Sequence, residues 1–356
     1  CKVNDTIRGN FIFDTGCYGM CYDSLFNSQH HFIDLNVPVL PYKNDSLAQE
    51  PSLKRQNLSF NDYSYSTYGA QIINLKSMDG RKVDGLIGWD LFYNKIVEFN
   101  FLEPSLKVRH FKDTLVDASF TKIPLKQTQD GFLLQTKIKI NEGLEISGDF
   151  LLDMGYSGKI LLGHKITAKH KLEEKLHDIL PLYSAYATVE GEGYRFAGRV
   201  KKLTFNDFTF NDVIVSCSAK EEPILEGSEF IGLLGMDILK RFDMIIDFKR
   251  NILYLKPNRQ FDEKFTFVTK GLGFVDRTDI SEGWEINSML LDEETKKTGI
   301  KPGDLITHIN NKDVRTLSYD SVMQAFKVIS HIAELTIKHG ETSRKVNLRT
   351  KEYLKK

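Results

Sequence analysis

The chain has 356 residues, 41% of them hydrophobic and 11% aromatic, and its 48 basic and 48 acidic side chains cancel to a formal net charge of zero. That length holds more than one domain and buries ample core, and a balanced charge gives no field to draw nucleic acid or an anionic membrane. No run approaches the roughly 18 consecutive apolar residues of a membrane span, and Cys1, Cys17, Cys21 and Cys217 are too few for a disulfide framework in a chain this long.

In chain order, the first informative element is Asn10–Gly16 (NFIFDTG), an apolar strand that runs into Asp14 with Gly16 two residues on. Only Cys1-Lys2-Val3 precede its entry turn at Asn4, whereas a strand from Phe132 to Ile140 precedes the matching turn at Asn141. The first repeat is therefore expected to lack most of a strand, with further residues upstream of Cys1 in the full gene product. A lipid on Cys1 would sit inside the expected sheet, while a signal peptide further upstream is compatible with the pattern. Cys17 and Cys21 either form a local bridge in an oxidising compartment or stay isolated thiols filling small spaces. His30-His31 adds only a weak zinc pattern, so no metal is expected.

The segment Tyr63–Gln71 (YSYSTYGAQ) reads either as a mobile hairpin over a cleft or as a plain β-hairpin with exposed tyrosines. Asp84–Arg109 then carries Leu86-Ile87-Gly88, an aspartate, a strand, a turn and a second strand. The second half repeats this order. Asp149–Gly155 (DFLLDMG) copies the first aspartate strand, Tyr183–Gly198 is a second candidate hairpin, and Ile231–Lys256 carries Leu233-Leu234-Gly235 in the place of Leu86-Ile87-Gly88. One Asp-Thr-Gly after a strand is equally an ordinary turn, because Asp caps turns and Gly accepts positive φ. Two copies, each followed by the same later triplet, instead imply two facing carboxylates. Such a pair cannot ionise twice cheaply, so it shares a proton; one member then acts as base on a water while the other polarises a carbonyl. The glycine two residues after each aspartate allows a tight turn and close approach of the two halves.

After Leu255-Lys256-Pro257, the stretch Asn258–Lys264 reads as a linker. Beyond it lie Gly271-Leu272-Gly273-Phe274 and the turn Gly299-Ile300-Lys301-Pro302-Gly303-Asp304. Ser318–Ser330 places Val322, Ala325, Phe326 and Ile329 on one helical face, with Ser318 or Thr316 as N-cap. Leu335–Lys338 and Lys345–Leu348 read as closing strands.

At these residues the chain resembles the retropepsin-like aspartic protease family in its fused bilobal form, and its C-terminal third resembles a PDZ domain of bacterial type. The resemblance implies a mainly β chain: two pseudo-symmetric β-barrel lobes over residues 1–120 and 121–257, then a PDZ-like α+β domain over 265–352. It implies Asp14 and Asp153 as the catalytic dyad, supported by Thr15, Gly16, Cys17, Met154, Gly155 and Ser157, with Gly88 and Gly235 in a psi-shaped crossing. The N–H groups of Leu272, Gly273 and Phe274 would hold the terminal carboxylate of a peptide that pairs with the following strand. The implied activity is that of an aspartic-type endopeptidase acting on peptide or protein substrates, recruited by the PDZ-like domain, without metal or organic cofactor. Both aspartates lie on one chain, so a dimer is not required. A periplasmic or other cell-envelope location, or secretion, goes with the resemblance.

Three departures from the family pattern keep a second reading open, that of a peptide-binding pseudoprotease; a third reading is a zymogen that needs the missing N-terminal strand removed or rearranged. Met154 stands where the family has a hydroxyl that locks the two loops together. Cys17 and Tyr156 stand where a small or hydroxyl residue supports the outer carboxylate oxygen, a role Ser157 is expected to take over while Tyr156 projects toward the cleft. The flap carries no strong signature.

Overall fold

The computed structural model describes residues 1–32, 55–61, 63–68, 70–113, 117–188, 191–222, 225 and 229–355. The chain is mainly β, in two lobes and a C-terminal PDZ domain. Each lobe carries the same small crossing. In the first, Phe11–Asp14 runs parallel to Gly85–Gly88, with Asp14 opposite Gly88, and Met20–Asp23 pairs antiparallel on the other side of Gly85–Gly88. In the second, the end of Leu144–Leu152 runs parallel to Gly232–Leu234, and Ile160–Leu162 pairs antiparallel with the same strand. The crossing forces main chains together: a Cβ at Gly88 would lie 2.5 Å from the Cys17 carbonyl oxygen, and one at Gly235 2.4 Å from that of Gly158. Only glycine fits either place.

A five-stranded sheet joins the lobes. Lys95–Asn100 of the first pairs antiparallel with Phe242–Asp247 of the second, flanked by Ser105–His110 and Ile252–Pro257. Thr121–Pro124 covers the outer edge of Ile252–Pro257, whereas the outer edge of Ser105–His110 has no partner strand among the described residues. Beside that bare edge Cys1, Phe11, Phe13, Phe60, Leu106 and Val108 help line an apolar trough of about 550 Å³. Aromatic packing crosses the junction: Phe13 stacks on Phe99 at 5.7 Å, and Phe248 meets both Phe13 and Phe132 edge-on. Burying such rings contributes about 1.5–3 kcal/mol each, enough to hold two small barrels as one body.

The Asn258–Lys264 stretch is pinned rather than loose. Arg241 donates to the carbonyls of Gln260, Phe261 and Glu263, the last at 2.6 Å. Beyond it, Phe274, Trp284, Ile286, Ile306, Leu335 and Ile337 belong to a separate core. The helix there covers Tyr319–Phe326, capped by Ser318, whose hydroxyl accepts from the Ser321 N–H. It stops short of Ile329, which is exposed rather than on the expected buried face. The PDZ sheet is joined to the second lobe by main-chain pairing of Leu182–Ser184 with Ser288–Leu290. Among the described residues no helix is long and apolar enough to cross a membrane.

Candidate active site

The two aspartate strands end face to face. Asp14 Oδ1 accepts the N–H of Gly16 at 2.7 Å and, from the other lobe, that of Gly155 at 3.2 Å. Asp153 Oδ1 accepts the Tyr156 N–H at 2.9 Å, and the two carboxyls hydrogen-bond to each other. Each lobe's glycine lies against the opposite carboxyl: a Cβ at Gly155 would fall 2.5 Å from Asp14 Cγ, and one at Gly16 3.0 Å from Asp153 Cγ. Neither glycine has positive φ. Their role is close approach, not an unusual backbone.

Burial raises both carboxyls above the ordinary range. Mutual repulsion adds to burial, while amide donors, Gly16 and Gly155 on Asp14 and Tyr156 and Gly155 on Asp153, partly hold both down, so the two titrate as one pair that shares a proton. A third carboxyl that the sequence did not single out feels the pair: Asp79, exposed at the end of the short Lys76–Asp79 helix, is raised above the ordinary range by the surrounding protein and by the charge of Asp14.

Half of the expected cross-lobe lock is present. The Thr15 hydroxyl donates to the Leu152 carbonyl at 2.6 Å and accepts the Met154 N–H at 3.0 Å. The Met154 thioether has no hydrogen to return the bond. Thr15 is fully buried, so Thr15→Ala leaves two backbone groups of the other lobe unpaired. We expect it to cost about 1–3 kcal/mol, read as a lower midpoint in urea unfolding with an unchanged slope.

The residues next along both loops differ from expectation. The Cys17 thiol is directed to Cys21 and to the Tyr18 carbonyl, not to Asp14, and the nearby Cys21 thiol, together with burial, pushes it far up. Both thiols are free and buried. Ser157 is exposed, with no hydrogen bond from its hydroxyl to Asp153 among the described residues. Tyr156 does not project into the cleft. Its ring folds back over Gly158 and Gly235 and packs with Leu133, Leu161 and Phe230, and its hydroxyl bonds to Ser216. The loops themselves, though not the outer carboxylate oxygens, are held by aspartates two residues after each crossing glycine: Asp90 accepts the Gly19 N–H at 2.6 Å, and Asp237 pairs with Lys159 at 3.1 Å.

The hairpins also fall differently. Tyr63–Tyr68 is the return strand of Arg55–Phe60, in the register that Phe208–Ser218 takes on Gly191–Phe205. Its tyrosines are tied down, Tyr63 to the Leu91 carbonyl at 2.9 Å and Tyr65 to Asp90 at 3.2 Å. It therefore corresponds to an inner strand of the second lobe and not to a flap; Gly69 of the proposed segment lies outside the described residues. Tyr183–Gly198 does fall on two paired strands, His177–Thr188 with Gly191–Phe205; residues 189–190 lie outside the described residues.

In the C-terminal unit, Leu272, Gly273 and Phe274 open the strand Leu272–Asp276, entered through Gly271 at φ +86. A register shift between Gly273 and Phe274 bends its start. The Tyr319–Phe326 helix lies alongside, with Tyr319 edge-on to Phe274. Among the described residues no three His, Cys, Asp or Glu side chains are gathered as a metal would need.

Residues 265–338 match the PDZ domain family. No curated protein matches the chain. Among solved structures, a retropepsin-like aspartic protease from Rickettsia conorii is similar to it at 22% identity, over 38% of this chain and 98% of its own, with a TM-score of 0.28.

Proposed function

We propose that the chain is an aspartic-type endopeptidase in which Asp14 and Asp153 activate one water, with lobes over residues 1–120 and 121–257 and substrate recruitment by a PDZ unit over 265–352. The observation that carries this reading is the hold on Asp14. Amides of both lobes grip one carboxylate whose hydrogen-bond partner is the second carboxyl. A shared proton between two such groups is the acid–base pair that peptide hydrolysis needs.

In the reading, a water between the carboxyls gives its proton to Asp14 as its oxygen bonds to the scissile carbonyl carbon. Asp153 donates its proton to the carbonyl oxygen. The resulting diol collapses as the C–N bond breaks, the leaving nitrogen takes the proton from Asp14, and a diol proton returns to Asp153. All atoms balance: one water is consumed, its oxygen ending in the new carboxyl, and Asp14 and Asp153 return to the protonation states in which they began.

The rate should fall on the alkaline side as the pair loses its shared proton, and on the acid side as both members become protonated. Asp79 sets a further expectation. Its negative charge opposes ionisation of Asp14, so Asp79→Asn should move the alkaline limb of kcat/KM to lower pH. An unmoved or upward-shifted limb would remove Asp79 from the site.

Met154 favours one other reading, in which the half-made lock leaves the cleft a peptide holder without turnover. The two readings separate on Met154→Thr. Restoring the hydroxyl should raise turnover in a working dyad and leave a pseudoprotease silent.

A further inference from the structure

Strand addition to a PDZ domain uses the free edge of the strand that follows its carboxylate loop. In this chain that edge is taken. Val275 pairs across to Glu285, so the alternate residues Phe274 and Asp276 turn their N–H and C=O groups away from the Trp284–Leu290 strand. The Phe274 carbonyl accepts the Tyr319 hydroxyl at 2.5 Å. The Asp276 carbonyl accepts a main-chain N–H from the first protease-like lobe, that of Arg81, at 2.8 Å.

The contact is built on more than one bond. Arg81 Nε also meets Asp276 Oδ2 at 2.8 Å. Gly80, at φ +84, lies flat on the Asp276 backbone, where an added Cβ would sit 3.3 Å from the carbonyl oxygen. Arg277 donates to Ser77 Oγ at 2.8 Å with both residues buried, and Lys82 reaches Asp320 in the first turn of the helix.

We propose that the segment Ser77–Lys82 is the resident occupant of the upstream half of the PDZ groove, and that extended polypeptide tails with a free C-terminal carboxylate compete with it for the Asp276 edge. The inference rests on the peptide-binding reading of the PDZ unit. A tail anchored at Leu272–Phe274 pairs its last residue with Phe274 and its third-last with Asp276, because only alternate residues face the same edge. The last two residues fit beside Tyr319 once its hydroxyl swings away. The third-last needs the place of Arg81.

The test uses the full chain and a fluorescent six-residue peptide with an apolar last residue, as free acid and as amide. Arg81→Pro removes both the N–H and the ion pair, Arg81→Ala only the ion pair, and Lys122→Ala, exposed on the Thr121–Pro124 strand, serves as the control. The free acid should bind Arg81→Pro at least about fivefold tighter than wild type, with Arg81→Ala between them, Lys122→Ala unchanged and the amide binding none. Equal affinity in all four proteins would overturn the occupancy and leave the peptide-binding reading standing. No binding of the free acid by any of them would overturn both. Should Arg81→Pro fail to fold, hydrogen exchange in the wild type decides: bound free acid should speed exchange of the Arg81 amide, and an unchanged rate at saturation would overturn the proposal.

Discussion

Asp153→Asn should silence peptide hydrolysis, by roughly 10³-fold or more, and at the same time raise the thermal midpoint at pH 7. The first effect follows because the amide cannot hold the shared proton. The second is a linkage effect. The folded-state value of Asp153 lies well above its ordinary one, so between the unfolded value, about 3.9, and the folded one the native state binds more protons than the unfolded chain. The stability this carboxyl contributes is complete below that window and is lost as pH rises through it. Asparagine has no such loss, so its advantage should be present at pH 7 and vanish near pH 3.5. Asp14→Asn should lose as much activity and shift the midpoint with the same sign, since the two buried carboxyls titrate as one pair. Paired melts at the two pH values check the sign; a lower midpoint at pH 7 for Asp153→Asn would show that the carboxyl is not strained by burial.

Gly235→Ala should come close to unfolding the second lobe, whereas Gly155→Ala should leave the fold and remove the activity. At Gly235 the new methyl would lie 2.4 Å from the Gly158 carbonyl and 2.6 Å from that of Tyr156, both main chain, with the Tyr156 ring closing the third side. No side chain can swing away, and overpacking against backbone costs about 3 kcal/mol or more, a large part of a domain's net stability. At Gly155 the methyl meets Asp14 Cγ and Oδ2 at 2.5 Å, a side chain that can turn aside. Turning it breaks the Gly16 and Gly155 bonds and parts the dyad. Urea unfolding and a single-substrate assay on the two variants separate the outcomes; equal stability and equal activity would contradict the close crossing.

The internal repeat made the two crossings legible, because the apolar strand, the aspartate and the later glycine triplet are all local patterns. A further repeat lies in the strands between them. Leu58-Ser59-Phe60-Asn61-Asp62-Tyr63-Ser64-Tyr65 matches Leu203-Thr204-Phe205-Asn206-Asp207-Phe208-Thr209-Phe210, and Asn61 and Asn206 share positive φ, at 48° and 45°. An Asn-Asp pair between alternating apolar residues signals a two-residue hairpin, and it would have placed Tyr63 in an inner strand. The directions of Tyr156, Cys17 and Ser157 were not legible, because each is decided by packing partners distant in sequence: Phe230 and Ser216 for the tyrosine, the Cys21 neighbourhood for the thiol. The Arg81–Asp276 contact joins residues nearly two hundred positions apart and leaves no local trace.

Cleavage of a diverse peptide mixture by the wild-type chain from about pH 3 to pH 8, with products identified by mass, tests the dyad most directly. A shared-proton dyad predicts internal cuts whose rate rises and falls across that range, with one oxygen from labelled water in each new carboxyl and no covalent intermediate. Peptides that bind and stay intact at every pH would contradict it, and would make the cleft a holder of chains rather than a cutter of them.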